Sequence, residues 1–352
     1  MIVKNEEDAL GKCLSTVKGI PDEIIVVDTG SSDRTKEIAA EFTDKIYDFV
    51  WINDFSAARN FAFSKAEGDY ILWLDADDIL LPEDRKKFLA LKEELDSAVD
   101  VYMMKYCIGY DGKNAVLSYY RERLVKRSRG FRWHEPVHEY LEIGGKVVNT
   151  DICVAHSGKE SKSKDRNLMI YKKAISEGKE LSPRGLYYYG RELKDNGYYS
   201  EAAAAFGKFL DGGKGWVEDN IIACSELAEC LKKSGSGDKE LPALLRSFSY
   251  DTPRAEICCR IGYYFFDKRN YRLAVYWFEL CLSLKRPEQA WGFQTPDCWG
   301  YIPGIQLAVC YDRLGDYRKA SGFNELAAQY KPDSPAVLQN REYFRQKLSD
   351  RS

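Results

Sequence analysis

The sequence YILWLDADD at residues 70–78 is an apolar run that ends in three carboxylates within four residues. Such a run is typical of a buried strand that delivers acids to its carboxyl end, and ligands of open α/β sheets bind at that end. Asp75 and Asp77 can jointly face a hard divalent cation, which prefers oxygen ligands and often keeps substrate phosphates in its shell. The alternative is a solvated loop that caps a helix at 80–95, where Pro82 suits the first turn.

A second strand that ends in an acid lies upstream, at residues 23–33, where EIIVVD runs into the small polar residues TGSSD. Asp33 suits the N-cap of the helical run at 34–41, because its side chain can accept from the unpaired N–H groups of the first turn. Between the two strands lies NDFSAARN at residues 53–60, in which Arg59 can pair with phosphate or orient an aspartate. Three such junctions predict a nucleotide-binding crevice.

Five motifs carry a family resemblance that covers roughly residues 1–160. They are MIVKNEE at 1–7, VDTGSSD at 27–33, NDFSAARN at 53–60, WLDADD at 73–78 and WHEPVHE at 133–139. Together and in this order they resemble the motifs of family 2 glycosyltransferases of the GT-A fold, in the subgroup that carries tetratricopeptide repeats. The resemblance implies an α/β GT-A (Rossmann-like) nucleotide-sugar domain, an inverting sugar transfer, and an all-α repeat domain after it.

The same resemblance implies a donor site. Asp28 and nearby backbone would hold the base and ribose of a nucleotide sugar, which we expect to be a UDP sugar. Asp75 and Asp77 would bind a divalent metal, Mg²⁺ or Mn²⁺, on the diphosphate. The expected donor-binding residues are Asn5, Glu6, Asp28, Gly30, Ser31, Asp33, Arg59, Asn60 and Asp75.

All three histidines of the chain fall between residues 134 and 156. In the family, a His-Glu pair after a Trp lies near the acceptor, and here that pair is His138-Glu139. A histidine at the end of the catalytic domain can complete the metal site, so the expected metal ligands are Asp75, Asp77 and His156.

An inverting transfer needs a base that takes the proton from the acceptor as it attacks the anomeric carbon. We expect Glu139 to be this base, with Glu135 as the second candidate. His138 would orient the base or act itself, since its ordinary pKa lies near working pH. The alternative is that His134 and His138 are structural side chains under a surface loop.

The chain departs from the family pattern at two places. Residues 1–4 leave barely a strand, so either the first strand is short or the recorded start lies a few residues late. The acidic pair that other family 2 branches carry just before the base is also missing, and this weakens the support for Glu139 specifically.

Composition excludes several classes of protein. The formal net charge of −3 gives no electrostatic footprint for nucleic acid. No apolar stretch approaches the ~20 residues that cross a bilayer, and the acidic residues 6–8 argue against a secretory or transit peptide. The ten cysteines are scattered without metal-type spacing. We therefore expect reduced thiols and a cytoplasmic enzyme.

A repeat pattern follows the motifs. Tyr, Ala and Phe recur at the same offsets in residues 198–206 and 270–278, and a third copy at 316–324 has Asn324 in place of Phe. This pattern is typical of tetratricopeptide repeats, in which a small Ala lets two helices cross closely. The expected domains are residues 1–160 for the transferase, 161–182 for a linker or helical connector, and 183–348 for the repeats.

The repeats predict a surface for an extended peptide, a protein partner or a second copy of the chain. The expected acceptor is a peptide or protein, or a cell-envelope saccharide, with the peptide slightly favoured. A first alternative is a nucleotide-sugar-binding scaffold with a degenerate transferase domain. A second alternative is a nucleotidyltransferase, but its Gly-rich basic loop after the first strand is missing, and residues 3–10 are acidic instead.

Overall fold

The computed structural model describes residues 1–111, 114–157, 165–286 and 295–349, with the backbone alone between residues 109 and 117. The chain divides into two compact units, Met1–Gly178 and Lys179–Ser352. In its described part the first unit is built of strands and helices, whereas the second is all helical. The predicted order of an α/β domain followed by a helical domain is confirmed.

The first unit contains three sheets within the described residues. Its strands are β1 (Ile2–Val3), β2 (Val26–Asp28), β3 (Ile46–Asp48), β4 (Tyr70–Leu72), β5 (Asp78–Leu80), β6 (Val101–Asp111), β7 (Asn114–Lys126), β8 (Arg132–His134), β9 (Tyr140–Glu142) and β10 (Val147–His156). Its helices are α1 (Leu10–Val17), α2 (Thr35–Ala40), α3 (Phe55–Ser64), α4 (Pro82–Glu93) and α5 (Arg166–Ser176). The sheets have the strand orders β1-β2-β3, β4-β7-β6-β10-β5 and β8-β9.

The three-stranded sheet is parallel and ends in Asp28. Val3 of β1 and Asp48 of β3 lie opposite Asp28 in the register. All of β2 is buried, as expected of an apolar strand inside a parallel sheet. Gly30 follows with φ of +102°, a conformation that glycine adopts without steric cost, and it turns the chain toward α2.

The five-stranded sheet is mixed, and its register brings distant residues together. β5 runs antiparallel to β10 and sets Asp78 opposite His156. β6 runs parallel to β10 and antiparallel to β7, while β7 also pairs with β4. Strand β5, which follows the acidic stretch, therefore lies beside β10, which ends at His156.

A β-bulge interrupts the pairing of β6 with β7. Leu124 lies opposite Tyr102, but Glu122 lies opposite Met103, so Arg123 is the extra residue. Bulges re-aim a side chain next to functional sites. Here the bulge turns Arg123 inward, where its side chain is 1% exposed.

Helix α4 starts as the sequence predicts, and α2 starts one residue later than predicted. Asp54 caps α3, with its Oδ1 accepting from the Ala57 N–H at 2.9 Å, and Pro82 is the first residue of α4. The helix expected at 34–41 spans Thr35–Ala40 instead. Asp33 still serves its start, because its Oδ1 accepts from the Thr35 N–H at 3.0 Å.

An aromatic core joins the acidic stretch to the loop that carries the proposed base. Trp73 and Trp133 are 3% and 2% exposed, and they pack edge to face with their ring centroids 4.8 Å apart. Val101, Val125 and Leu141 complete the cluster. Burial of aromatic side chains of this size is a large stabilising contribution, so Asp75 and Glu139 are both attached to rigid structure.

Helix α5 groups with the first unit, although it falls in the segment that the sequence predicts as a connector. Tyr171 is fully buried, and its hydroxyl donates to the Val137 carbonyl at 3.3 Å. Residues 158–164, which include the predicted boundary, lie outside the described residues.

The second unit consists of consecutive helices. They are α6 (Pro183–Asp195), α7 (Tyr199–Asp211), α8 (Val217–Lys233), α9 (Glu240–Arg246), α10 (Ala255–Asp267), α11 (Tyr271–Ser283), α12 (Tyr301–Arg313), α13 (Tyr317–Tyr330) and α14 (Pro335–Ser349). Each packs against the next along most of this series, as in helical repeats. Among the described residues no helix has the length and apolarity to span a bilayer.

Close helix crossings explain the recurring Ala and Phe. A Cβ added at Gly190 would meet the Phe206 ring at 2.9 Å, and one at Gly262 would meet the Phe278 ring at 2.7 Å. The third helix pair has neither of these residues. Asn324 stands at the position of the phenylalanine, and Ala308 stands at the position of the glycine. Asn324 is fully buried, and its Nδ2 donates to the Val337 carbonyl at 3.0 Å.

The cysteine prediction was wrong for one pair. Cys107 and Cys153 form a disulfide between β6 and β10. The reason is strand adjacency, because β6 and β10 are neighbours and the two Cα atoms lie 6.3 Å apart, which spacing along the chain does not reveal. The other eight cysteines are free and buried, as expected.

Candidate functional site

Asp28 sits at the end of β2 with one carboxylate oxygen engaged and the other unpartnered. Its Oδ2 accepts from the N–H groups of Gly30 at 3.0 Å and Ser31 at 2.9 Å. The side chain is buried, and Oδ1 has no hydrogen-bond partner among the described residues. A buried unpaired oxygen is costly, so a ligand that donates to it would gain free energy.

The N-terminal loop fixes the residues beside Asp28. Asn5 adopts φ of 55°, its N–H donates to Ser31 Oγ at 2.9 Å, and its Oδ1 accepts from the Ser32 N–H at 2.8 Å. Asp33 accepts from the Glu7 N–H at 3.2 Å. The N-terminal loop is therefore bonded to the loop after β2. Together they form one wall of the crevice, which includes Asn5, Ser31 and Asp33.

Glu6 extends this wall toward the acids of the second sheet. Partial burial raises its pKa, and the charges of Asp77, Asp33 and Asp75 raise it further. The carboxyl groups of the two sheets are therefore near neighbours. A cation or a hydrogen-bond donor between them would relieve their mutual repulsion.

The acids after β4 form a tight turn. The Asp78 N–H donates to the Asp75 carbonyl at 3.0 Å, and the Asp75 N–H donates to Asp78 Oδ2 at 2.9 Å. Arg123 lies 2.8 Å from the same Oδ2, and both side chains of this ion pair are almost fully buried. Burial raises the pKa of Asp78, partly offset by the charge of Arg123. The turn fixes the directions in which Asp75 and Asp77 project.

The cluster best suited to a metal consists of Asp77, Asp78 and His156. Each side chain offers one ligand atom, and these three atoms all lie within 4.8 Å of one another. In the described part of the chain, this is the group of acids and histidines that meets the criterion. Asp77 Oδ2 and His156 Nδ1 are 3.6 Å apart. The Tyr106 hydroxyl lies 3.0 Å from His156 Nδ1 and orients the ring.

Asp75, which the sequence also predicts as a ligand, is committed to Arg59. Arg59 Nη2 donates to Asp75 Oδ1 at 2.7 Å, and Arg59 Nε donates to Glu139 Oε1 at 2.8 Å. Burial alone would raise the pKa of Asp75, but the charges of Arg59 and Arg123 outweigh it and lower the pKa to about 2. Arg59 thus links Asp75, in the turn after β4, to Glu139, which the sequence predicts as the base.

Asn60 makes two hydrogen bonds to the backbone of Trp133. Its Nδ2 donates to the Trp133 carbonyl and its Oδ1 accepts from the Trp133 N–H, both at 2.9 Å. These two bonds tie α3 to β8. They leave Asn60 as a residue that positions Trp133, and its contact with the donor stays a prediction.

The loop between β8 and β9 presents Glu135, His138 and Glu139. Glu135 and His138 have φ of 73° and 53°, which costs of order 1–3 kcal/mol each and recurs at functional sites. The loop is held at its middle, where the Pro136 carbonyl accepts from the Phe55 N–H at 2.9 Å. Glu139 is mostly buried, with its side chain 15% exposed.

His134 fits the structural alternative. Its Nε2 lies 2.9 Å from Glu142 Oε2, and its ring stacks on Tyr140 with the centroids 5.5 Å apart. These contacts pair β8 with β9. His138, in contrast, lies in the loop next to Glu139.

Sequence reasoning missed four side chains of this site. They are Asp78, Tyr106, Arg121 and Arg123. Asp78 stood in the quoted stretch without a role, and its alignment with His156 depends on the pairing of β5 with β10. The two arginines lie on a long strand, and the bulge that aims Arg123 has no signal that a single sequence reveals.

The chain is similar to several known proteins. Residues 1–160 match the model of glycosyl transferase family 2. The chain is 38% identical to a TPR repeat-containing protein of Synechococcus elongatus over 40% of this chain and 34% of the relative. It is 27% identical to the SPbeta prophage-derived glycosyltransferase SunS of Bacillus subtilis over 65% of this chain and 58% of the relative.

The chain therefore spans between a third and three fifths of the length of these two relatives. Among solved structures, the C-terminal part of a TPR repeat-containing protein of Cytophaga hutchinsonii aligns with a TM-score of 0.42 at 18% identity. That alignment covers 51% of this chain and 65% of the other.

Proposed function

We propose that the protein transfers a sugar from a nucleotide sugar to an acceptor, because residues 1–160 match the model of glycosyl transferase family 2. One observation carries the proposal. Arg59 bonds both Asp75, from the strand-end turn, and Glu139, from the β8–β9 loop. A single guanidinium thus links the acids expected on the donor side to the acid expected on the acceptor side.

The nucleotide part of the donor would bind along the edge where β2 and β4 end. Asp28 offers an unpartnered buried oxygen to a donor group of the base or ribose. Gly30 and Ser31 keep the other oxygen in place, so little reorganisation is needed on binding. We propose a UDP sugar, which follows from the family and not from a feature of the pocket.

The donor's diphosphate would be bound through Mg²⁺ or Mn²⁺. The residues fit such an ion, because Asp77, Asp78 and His156 offer two carboxylates and an imidazole, and Asp78 Oδ1 is a buried oxygen without a hydrogen-bond partner. Carboxylates suit both ions. A bound ion supplies Lewis-acid stabilisation of the departing diphosphate.

Glu139 is the proposed base of an inverting displacement. Arg59 holds Glu139 Oε1, while Oε2 makes no hydrogen bond to the part of the chain that the structure describes. Oε2 is thus available to take the proton from an acceptor hydroxyl or thiol as that atom attacks the anomeric carbon. Glu135 and His138, in the same strained loop, are the second candidates.

The acceptor would be a peptide, a protein or a cell-envelope saccharide. The helical repeats support a macromolecular acceptor, because such units form extended binding surfaces. The same surface would equally serve a protein partner or a second copy of the chain. A scaffold that binds nucleotide sugars without transferring them is the alternative, and turnover of the donor that binds separates it from a transferase.

The test is thermal stability in the presence of a panel of nucleotide sugars, each with and without Mn²⁺. A ligand at a hundredfold excess over Kd stabilises the native state by about 2.7 kcal/mol. We expect one donor to raise Tm only with metal, and Asp77→Asn to remove the shift. Asp69→Asn, an exposed acid before β4, should keep it. A donor that binds without any turnover would favour the scaffold, and no shift in folded protein would contradict donor binding.

A further inference from the structure

Three arginines surround the Trp73 ring. The guanidinium carbons of Arg59, Arg121 and Arg123 lie 5.2, 5.0 and 4.0 Å from its centroid. An arginine over an indole face is favourable, but three positive charges around one ring repel each other. Each therefore needs a negative partner.

Two of the three have such partners within the protein. Arg59 bonds Asp75 and Glu139 at 2.7 and 2.8 Å. Arg123 lies 2.8 Å from Asp78, with both side chains almost fully buried. These two arginines are structural elements of the site, and a substrate would have to break an ion pair to reach them.

Arg121 differs from both. Among the residues whose side chains are described, the carboxylate within 4 Å of the Arg121 guanidinium is that of its sequence neighbour Glu122. The two groups are 3.6 Å apart, which is beyond hydrogen-bonding distance. The Arg121 side chain is 28% exposed. Most of the side chain is therefore covered by protein, while more than a quarter of its surface is open to solvent.

Arg121 also shares the Trp73 ring with Arg59, whose guanidinium bonds both Asp75 and Glu139. A guanidinium beside the strand-end turn, with donors that no carboxylate of the described chain satisfies, suits a planar or tetrahedral oxyanion, which arginine binds with two parallel N–H groups.

We propose that Arg121 binds an oxyanion of the substrate. This inference rests on the proposed function. The oxyanion then has one of two sources with the same chemistry, namely the diphosphate of the donor or an acidic group of the acceptor. In either case Arg121 pairs with a negative charge that the substrate brings, which completes the charge balance around Trp73.

The experiment compares Arg121→Gln, Arg121→Lys and Arg132→Gln, the last removing an exposed arginine on β8. Titration calorimetry with Mn²⁺ measures the affinities for UDP, uridine and inorganic diphosphate. A second titration measures inorganic phosphate binding to protein saturated with UDP and Mn²⁺. Circular dichroism and Tm check that each variant is folded.

If the anion is the diphosphate, Arg121→Gln should weaken UDP and inorganic diphosphate binding about 10- to 150-fold, as loss of hydrogen bonds to a charged group predicts, and leave uridine binding unchanged. If it belongs to the acceptor, UDP binding should stay normal while phosphate binding to the UDP-loaded protein is lost. Arg121→Lys should fall between, and Arg132→Gln should match the wild type.

Folded Arg121→Gln protein with wild-type affinity in both titrations would overturn the proposal. Failure of wild-type protein to bind UDP would instead contradict the proposed donor. Inorganic diphosphate and phosphate would still test Arg121 in that case, so the two failures are distinguishable.

Discussion

Arg59 is the residue on which the two halves of the site depend. Its guanidinium carbon lies over both the Trp73 and Trp133 rings, at 5.2 and 4.9 Å from their centroids, and its side chain is 11% exposed. In this low-dielectric setting its two carboxylate bonds are stronger than at a surface. Its rigid fork orients Asp75 and Glu139 together, which a lysine in its place could not do.

The proposed base gives a prediction at this scale. Glu139→Gln should keep donor affinity and lose transfer by about 10²- to 10⁴-fold, because a positioned base contributes that much. The measurement is kcat beside the donor Kd. Glu142→Gln, an acid on the neighbouring strand whose side chain is 71% exposed, is the matched control and should retain activity. Unchanged turnover in Glu139→Gln would move the base role to Glu135 or His138.

The buried ion pair under the acidic turn gives a second prediction. Removing one member of such a pair costs about 3–5 kcal/mol, whereas replacing both with apolar residues can be nearly neutral. Arg123→Met should therefore lower the free energy of unfolding more than the double variant Asp78→Leu with Arg123→Met does. Urea unfolding measures both. Equal losses in the two variants would show that packing, and not charge, dominates at this pair.

At the scale of elements, the crossings of paired helices explain the repeat pattern. Gly262 and Phe278 fit each other because the glycine has no Cβ. Gly262→Ala forces a contact that real Cβ atoms do not make, so we predict a loss of about 1–3 kcal/mol of stability, the usual cost of overpacking.

Gly207→Ala is the control, because a Cβ at that helical position meets no atom within 4 Å. Alanine there should be neutral or stabilise the helix by up to about 1 kcal/mol. Thermal unfolding of both variants measures the difference. Equal stability of Gly262→Ala and wild type would mean that α10 and α11 do not cross as closely as described.

An ion-pair network joins the helices of the second unit. Glu229 lies 2.9 Å from Lys194, 2.8 Å from Lys233 and 3.2 Å from Arg260. Burial raises the pKa of Glu229, but hydrogen bonds from Lys233 and Lys194 outweigh it and lower the pKa from 4.5 to about 2.

A pH dependence follows from that lowered pKa. Because the folded state favours ionised Glu229, its stabilisation is fully present above pH 4.5 and is lost as the pH falls toward about 2. Glu229→Gln should thus be less stable than wild type at pH 7, and the two should converge in acid. Glu201→Gln, at an exposed position on α7, is the control. A difference that persists at pH 2 would contradict this assignment.

The elements also show what the sequence could predict. Apolar runs ending in Asp28 and Asp75 predicted two strands with acids at their carboxyl ends, because a short apolar run is a local sign of a buried strand. The pairing of β5 with β10, which sets Asp78 opposite His156, is non-local. The bulge at Arg123 depends on the register of two strands that no local pattern specifies.

At the scale of the whole molecule, the division into two units places α5 with the first. The composition of residues 161–182 predicted a connector, because charged residues dominate its start. The buried Tyr171, whose hydroxyl bonds the Val137 carbonyl of the β8–β9 loop, has no local signal that distinguishes it from repeat-domain aromatics.

Truncation tests this division. A fragment of residues 1–178 should fold and bind the donor with Mn²⁺ as the full chain does. A fragment of residues 1–164 should lose stability, because it lacks the Tyr171 contact under the loop that carries Glu139. Tm and donor Kd of the two fragments are the measurements. Equal stability would return α5 to the role of a connector.

The measurement that tests the central claim most directly is release of the nucleoside diphosphate from the donor identified by thermal shift, with the anomeric configuration of the sugar product followed by NMR. Wild-type protein should release it only with Mn²⁺ and invert the anomeric centre, and Asp77→Asn should abolish release. Folded wild-type protein that binds the donor but releases nothing with any acceptor offered, or a product with retained configuration, would contradict the claim of an inverting transferase.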